Sequence, residues 1–324
     1  MKLRAGVVTC ASAFMLTVCG STTVFSQAYP SKVIRFIVPH AAGGANDIIA
    51  RVLAQKLSEN LGQQVIVDNR AGGSAIIGSA LAAKSDPDGY TILLANVPHV
   101  ANPVLHSNLP YDTLKDFASI TLIARMPSVL IVHPSLPVKS VGGLIALAKS
   151  KPGQINYASA GIGSSIYLTM ALFIHRTGVE MFHVPYKSGA PALSDLIAGQ
   201  VSAQFVTVPP VLPHIKSGRV RALGITSAGR FPLLPDTPTI AESDMPGFED
   251  YFWQGVVAPR GTPPEIITKL NAEIRRALAS PPVRERLTGM GTAIVGSTPE
   301  QLTDFIKAQI DRWRQVFKAG KRIE

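Results

Sequence analysis

Cysteine is nearly missing from this chain: two in 324 residues, Cys10 and Cys19, both close to the start. That count excludes a disulfide-built scaffold and a cysteine zinc site. Aromatic residues make up only 6% and charged residues 16%, against 46% hydrophobic, a balance that excludes a disordered chain, a collagen and a coiled coil. Beyond the first residues, charges or prolines interrupt every apolar run, so no later segment reaches the roughly 20 residues of a spanning helix. Acids are few: 21 Asp and Glu against 31 Lys and Arg, a formal charge of +10. The excess suits solubility and the attraction of small anions. Basic runs do not interleave with aromatics, which argues against nucleic acid as a partner. What is present is enough apolar sequence for one or two domains with a sizeable core.

Lys2 and Arg4 precede an uncharged, mostly apolar run from Ala5 to Cys19, and the polar stretch Gly20-Ser21-Thr22-Thr23 and then Ser26-Gln27-Ala28 follow. This is the order of a secretory signal peptide over residues 1–28, with the cut after Ala28, and it predicts a periplasmic protein. An uncleaved anchor is the rival reading, but about 15 apolar residues are too few to span. Leu16-Thr17-Val18-Cys19 resembles a lipobox, although Val18 is large for the place before the cysteine; lipidation at Cys19 stays open. Residues 29–324 hold no cysteine, as suits an exported domain whose core needs no disulfide.

From Val33 the chain alternates strand and helix. Residues 33–38 read as a buried strand. Ile49, Leu53, Leu57 and Leu61 recur every four residues, with Ile48 and Val52 widening the stripe, and Gly62 is a helix stop. Residues 65–67 and 91–95 are strands, with a helix between them opening at Ala71-Gly72-Gly73-Ser74. Further strands are predicted at 129–132, 155–159, 181–184, 201–206 and 220–225. Helices are predicted at 140–150, capped by Ser140, at 164–177, 190–198 and 264–279, and at 299–319. Thr298 and Gln301 form a capping box for the last one. This order implies parallel sheets covered by helices, with ligands bound beyond the C-terminal ends of the strands. Ala124-Arg125-Met126-Pro127 separates two strand-like runs and is a candidate crossover.

Three strand-to-helix loops are rich in small residues: 41–46 (Ala41, Gly43, Gly44 and Asn46 among them), 159–165 (Ser159, Gly163, Ser164, Ser165) and 187–190 (Gly189, Ala190). A helix N-terminus offers unpaired N–H groups and a positive dipole end to a carboxylate or phosphate, and small side chains let the ligand approach. The phosphate loop Gly-x-x-x-x-Gly-Lys is missing, and Gly161-x-Gly163-x-x-Ile166 lacks the third glycine of a dinucleotide fingerprint. A small anion fits better than a nucleotide, and no cofactor is called for. No Gly-x-Ser-x-Gly elbow and no His-Glu-x-x-His occur, and the seven histidines show no short metal-ligand spacing. His40 and His99 each follow a proline after a predicted strand; they are expected to meet at the mouth of a pocket and donate to a carboxylate. Asp47 in a first helical turn suits the helix dipole. Trp253 either walls the pocket or packs in a core.

Taken in order, several motifs resemble one family across nearly the whole chain after Ala28. They are Tyr29-Pro30-Ser31-Lys32, Val38-Pro39-His40-Ala41-Ala42-Gly43-Gly44 with Asp47, Asn69-Arg70-Ala71-Gly72-Gly73, Asn108-Leu109-Pro110-Tyr111-Asp112, Val184-Pro185-Tyr186-Lys187, Leu234-Pro235-Asp236-Thr237-Pro238-Thr239 and Ala258-Pro259-Arg260-Gly261-Thr262-Pro263. The chain resembles the Bug-type substrate-binding proteins of tripartite tricarboxylate transporters. The resemblance implies an α/β fold like that of type II periplasmic binding proteins, with two lobes around a ligand cleft and a crossover hinge. Lobe 1 is expected over 29–127 and 227–324, and lobe 2 over 128–226. It implies no catalysis but capture of a small carboxylate, delivery to a membrane permease and a monomeric state. A sensor passing its signal to a membrane kinase is the alternative, and a secreted α/β hydrolase a remote one, since no nucleophile with a nearby base is visible. The resemblance adds the loops near Asn96 and Thr207 to the cleft. Relatives commonly carry Phe where this chain has His40, often a Lys-Gly pair where Ser188 intervenes, and an acid or amide pair near Phe205 where Val206 and Thr207 stand. The loss of an acid there disfavours an ammonium-bearing ligand and favours aliphatic or aromatic mono- and dicarboxylates.

Overall fold

The computed structural model describes residues 29–243 and 245–318. The signal-peptide and lipobox readings of residues 1–28 fall outside them, as does Ala319. Strands β1 (Ile34–Val38), β2 (Val65–Asn69) and β3 (Thr91–Asn96) pair in parallel in the order β2-β1-β3. Their connecting helices are α1 (Ala45–Leu61) and α2 (Ile76–Ala83). α1 follows the predicted stripe, with Ile49, Leu53 and Leu57 buried, and Gly62 ends it in a left-handed cap at φ 66° whose N–H returns to Ser58 O. After β3 the chain turns into α3 (Val97–Leu105) and then enters β4 (Phe117–Val132), a strand of 16 residues.

β4 changes the expected picture. Arg125-Met126-Pro127 does not separate two strands; one strand runs through it. Up to Pro127 its partner is β9 (Tyr251–Pro259), antiparallel, and from Ser128 onward its partners are β7 (Ala203–Thr207) and β8 (Arg221–Ile225), also antiparallel. Pro127 is tolerated there because it lies where one set of partners gives way to the next. The parallel pairs β5 (Asn156–Ser159) with β6 (Phe182–Pro185) and with β7 complete the second half of the sheet. The sheet is therefore mixed, not parallel throughout: β9 and β4 return against their neighbours. The short β10 (Ala293–Ile294) pairs with β4.

Helices cover both faces. α1, α8 (Pro264–Ala279) and α9 (Pro281–Gly289) bury one apolar cluster against β1, β3 and β9, built on Phe36, Val38, Leu94, Val256 and Ile274. α6 (Gly189–Ile197) and α7 (Val208–Lys216) bury a second against β4 and β7. The largest cluster lies on the remaining face, where α2, α3, α4 (Val141–Ser150), α5 (Ser165–Thr177) and α10 (Pro299–Lys318) share one core that includes Trp253 and Trp313. The predicted capping box holds α10: Thr298 N–H donates to Gln301 Oε1 and Gln301 N–H to Thr298 Oγ1. Ser140 caps α4 as expected.

Where the partners of β4 change, a polar knot ties the chain. Ser128 N–H donates to Thr226 Oγ1, Thr226 N–H to Ser128 O, and Asp250 N–H to Thr226 O. The buried Asp250 carboxylate accepts from Thr169 Oγ1 of α5 at 2.6 Å and pairs with Arg312 of α10 at 3.2 Å. Burial pushes its carboxyl upward, against the pull of Arg312 and Thr169.

α2 is set close to the end of β1 because Gly78 has no side chain. A Cβ there would stand 2.8 Å from Pro39 Cβ and 2.9 Å from Arg70 O. Gly78→Ala is expected to lower stability by about 1–3 kcal/mol through overpacking, read from the urea midpoint. Gly62→Ala, where the space is open and only φ is strained, is expected to cost about 1 kcal/mol.

Candidate functional site

The C-terminal ends of β1 and β3 and the start of β9 converge on one side of the sheet. Side chains alternate along a strand, so the rows Phe36-Val38, Ile92-Leu94 and Val256 that face α1 are continued by Asn96 and Gln254, which are register partners. At that level the apolar rows give way to polar groups. His40 stands two residues past β1, and its Nε2 meets Asn96 Nδ2. Burial lowers the imidazole pKa, and the hydrogen bond with Asn96 opposes this. Asn46, in the first turn of α1, accepts from Gln254 Nε2 at 3.4 Å. Asn96, Gln254 and Asn46 are all buried, and the carbonyl oxygens of Asn96 and Gln254 have no protein partner. Gln254 was not anticipated; nothing in its local sequence distinguishes it from a core strand position.

The loop from Ala41 to Gly44 is exposed and held from below. Asp47 Oδ2 accepts from Gly43 N–H at 2.8 Å and from Arg51 Nε at 3.0 Å, and its Oδ1 accepts from Asn69 Nδ2 at 2.9 Å. Asn69 also donates to His40 O. Burial alone would raise the Asp47 carboxyl, but the hydrogen bonds from Arg51, Gly43 and Asn69 outweigh it and hold the pKa below the usual carboxylate range. Asp47 is thus a clamp on the loop as well as a first-turn acid. The N-terminus of α1 has no side-chain cap, and Gly44 occupies the cap position.

The second half of the sheet contributes β5 and its loop. Ser159 ends β5 fully buried; its Oγ accepts from Gly161 N–H at 3.0 Å and lies 2.6 Å from His183 Nε2. His183 is stacked on Tyr157 and tilted against Tyr167. Ser164 caps α5 through Tyr167 N–H and donates to Gly161 O, and Ser165 opens the helix. Gly189 and Ala190 open α6, whose N-terminus has no side-chain cap, and Thr207 stands before α7 with its hydroxyl likewise not capping. Sequence reading found no hydroxyl beside a base; the fold supplies one at Ser159 and His183. No acid among the described residues hydrogen-bonds or ion-pairs with His183, so the third member of a hydrolytic triad is missing from the described residues.

The two sets of loops meet. Ser74 Oγ donates to Ile162 O at 3.0 Å, and Gly163, at φ 77°, makes room for Ser74, whose Oγ would lie 3.0 Å from a Cβ there. Ser74 reaches across because residues 72–75 all adopt positive φ, including Ser74 at 50° and Ala75 at 73°. α2 therefore starts at Ile76 rather than at the predicted glycines. Asn102 Nδ2, from buried α3, donates to Ser74 O and holds this turn. Ser74 and Asn102 were missed; the glycine pair before Ser74 was the one available signal.

His99 lies elsewhere. Its ring is 1% exposed, edge-on to Phe117 at 4.9 Å and parallel to Tyr111 at 6.3 Å, and burial lowers its pKa to about 4. The structure pairs His40 with Asn96 and puts His99 in an aromatic core, because His99 already sits in the first turn of a buried helix. Trp253 is 1% exposed and edge-on to Phe305, so it belongs to the core. Among the described residues no group of three His, Cys, Asp or Glu side chains is placed to hold a metal. The polar groups gathered here are amides, hydroxyls, imidazoles and backbone N–H groups. Arg51 is engaged with Asp47 and Asn69, so an anion at the 41–46 loop meets dipoles rather than the Arg51 guanidinium.

The chain as a whole is similar to known proteins. A family model described as "Tripartite tricarboxylate transporter family receptor" matches residues 49–321. The chain is 40% identical to Protein BugT of Bordetella pertussis over 94% of each chain. Among solved structures it is similar to an R. palustris protein with adipate (TM-score 0.80, 38% identity, 90% of this chain and 97% of that one). It is also similar to the periplasmic binding protein BugD (0.79, 35%, 90% and 98%) and to MatC from Rhodopseudomonas palustris with bound malate (0.79, 32%, 89% and 99%).

Replacing Asp47 by Ala should strip partners from Gly43, Arg51 and Asn69 and cost about 1–3 kcal/mol, measured by urea unfolding at pH 7. Because the folded carboxyl is depressed, its contribution is present above the unfolded Asp pKa of about 3.9 and is lost as pH falls through the folded value. The gap between wild type and Asp47→Ala should therefore narrow below about pH 4; a gap that is constant with pH contradicts the clamp.

Proposed function

The chain belongs to the tripartite tricarboxylate transporter receptor family, whose members are solute-binding proteins with this periplasmic binding fold, and we propose that it captures a small carboxylate in a cleft between two lobes and delivers it to a membrane permease. The ligand class is an aliphatic or aromatic mono- or dicarboxylate, and the place of action is the periplasm. The lobes are residues 29–127 with 227–324, and residues 128–226. The change of partners along β4 at Pro127 and Ser128 supports that division.

The observation that carries the reading is the contact of Ser74 with Ile162, which brings the strand-end loops of the two halves together. The cleft is lined by His40, Asn46 and Asn96 from one half and by Ser159, Ser164, Ser165, Gly189, Ala190 and Thr207 from the other. Uncapped helix N-termini at α1 and α6 provide N–H donors for a carboxylate. The relatives solved with adipate and malate make dicarboxylates the first probes. Closing over the ligand adds contacts from the second lobe to those of the first, and that surplus favours the closed form. Nothing in this description requires chemistry on the ligand. His40 is the residue that distinguishes this cleft, with its Nε2 engaged by Asn96 and its Nδ1 left for the ligand.

Adipate or malate at 100 times its dissociation constant should stabilise the protein by about 2.7 kcal/mol, seen as a rise of several degrees in Tm. His40→Ala should weaken binding about tenfold, one hydrogen bond to a charged group, with the unliganded Tm nearly unchanged. A panel of aliphatic and aromatic mono- and dicarboxylates in which none shifts Tm or gives calorimetric heat overturns the carboxylate reading. Unchanged affinity in His40→Ala removes His40 from the site.

A further inference from the structure

Backbone strain is concentrated in one place. Among the described residues, Ser74 at φ 50° and Ala75 at φ 73° are the two non-glycine residues with positive φ, and they are adjacent. A helix start does not ask for this, and Ala75, at the cap position of α2, offers no side-chain hydrogen bond. Glycine would serve both positions without the clash that a Cβ meets there. The strain is held from within the first half of the sheet. Asn102 is fully buried in α3 and its Nδ2 donates to Ser74 O at 2.9 Å, while Ala75 is itself buried. The strained backbone aims the Ser74 hydroxyl out of its own half, at Ile162 O, 3.0 Å away on the loop that opens α5. That loop is shaped to receive it. Gly163 sits at φ 77°, and a Cβ there would stand 3.0 Å from Ser74 Oγ, 3.3 Å from Ser74 Cβ and 3.8 Å from Leu105 Cδ1 of α3. Ser164 fastens the same loop to α5, donating to Gly161 O and accepting from Tyr167 N–H.

We propose that the turn at residues 72–75 and Gly163 form a latch between the two halves: Ser74 seats on Gly163 and bonds Ile162 O when the halves are together, and leaves both when they part. The proposal rests on the two-lobed receptor reading and names what governs release from that cleft. The chain passes between the halves only along β4 and between β8 and β9, so everything else that joins them is a contact that can open. The latch is preorganised. Asn102 and Leu105 belong to one helix of the first half, so the turn keeps its shape whether or not the opposite loop is present, and closing orders no new backbone. The bond itself is weak: one neutral hydrogen bond at an exposed place, where water can replace either partner. A latch of that strength does not hold the halves shut alone. It adds to the contacts of a ligand that touches both halves and slows its release, so its effect falls on the dissociation rate more than on association.

Residues 29–324 hold no cysteine, which gives a direct test. Ser74→Cys combined with Gly163→Cys puts two thiols in that span at a Cβ separation of 3.3 Å, near the roughly 3.8 Å of a disulfide. Oxidised, the pair should lock the halves together. Small-angle scattering should then give a smaller radius of gyration than for the reduced, unliganded protein, and exchange of adipate or malate should stop until a reductant is added. Either ligand should also speed formation of the crosslink several-fold. Equal radii in the oxidised and reduced forms, or a crosslinking rate that a bound ligand leaves unchanged, overturns the latch and leaves the receptor reading standing. If neither ligand binds, the dicarboxylate reading fails, and the comparison of radii still decides the latch. Should Gly163→Cys not fold at its positive φ, Ser74→Ala decides: stopped-flow dissociation of the ligand should quicken about two- to tenfold, with association nearly unchanged. A dissociation rate equal to that of wild type in Ser74→Ala overturns the latch.

Discussion

The buried carboxylate of Asp250 is the point on which the two halves of the sheet depend. It stands where β9 begins and where β4 exchanges β9 for β7 and β8, and its partners come from α5 and α10. A buried charge is tolerated only when its partners are complete, so Thr169 and Arg312 are fixed around the carboxylate, while the Asp250 backbone N–H holds Thr226, which in turn holds Ser128. α5 carries the Ser164–Ser165 end of the 159–165 loop at its N-terminus and Thr169 one turn further on. That loop is thereby tied, within a turn of helix, to the strand that joins both halves of the sheet.

The polar groups gathered at the strand ends are mostly neutral: amides and His40 beside β1, β3 and β9, and hydroxyls and His183 beside β5. A receptor that must release what it binds gains from dipoles over fixed cations, because a buried ion pair is costly to break, whereas N–H groups and hydroxyls exchange one acceptor for another. Several acids and bases close to the loops are engaged in support. Asp47 and Arg51 hold the loop after β1, and Asp195 is engaged by the Tyr186 hydroxyl beside α6. Support of this kind fixes the loop geometry without presenting net charge to the ligand.

The left-handed turn at residues 72–75 shows a different use of energy. Positive φ costs roughly 1 kcal/mol at a residue with a side chain, and Ser74 and Ala75 both adopt it. The cost is offset by Asn102, which holds the Ser74 carbonyl, and by Ile162, which accepts the Ser74 hydroxyl. The strained turn is therefore coupled to the opposite loop, and Gly163 keeps the space free for it.

The sequence by itself determined the elements whose signal is local. The four-residue stripe and Gly62 set α1, Ser140 and Thr298–Gln301 set two helix starts, and the small residues at 41–46, 159–165 and 187–190 marked the loops. Family motifs spread along the chain identified the receptor class. Contacts far apart in sequence were decided only by the tertiary structure. β4 reads as two pieces because Pro127 interrupts its pattern, and only exchanged partners make it one strand. His99 reads like His40, a histidine after Pro-terminated strand residues, yet α3 turns one into the core while the other reaches Asn96. Gln254 reads as core, and Ser74 as a turn residue. Ser159 and His183 are 24 residues apart with no motif between them, and pairing of β5 with β6 alone makes them neighbours. Side-chain periodicity and caps act over a few residues, so sequence carries them; a polar contact across strands or lobes depends on register and chain path, which no short stretch of sequence encodes.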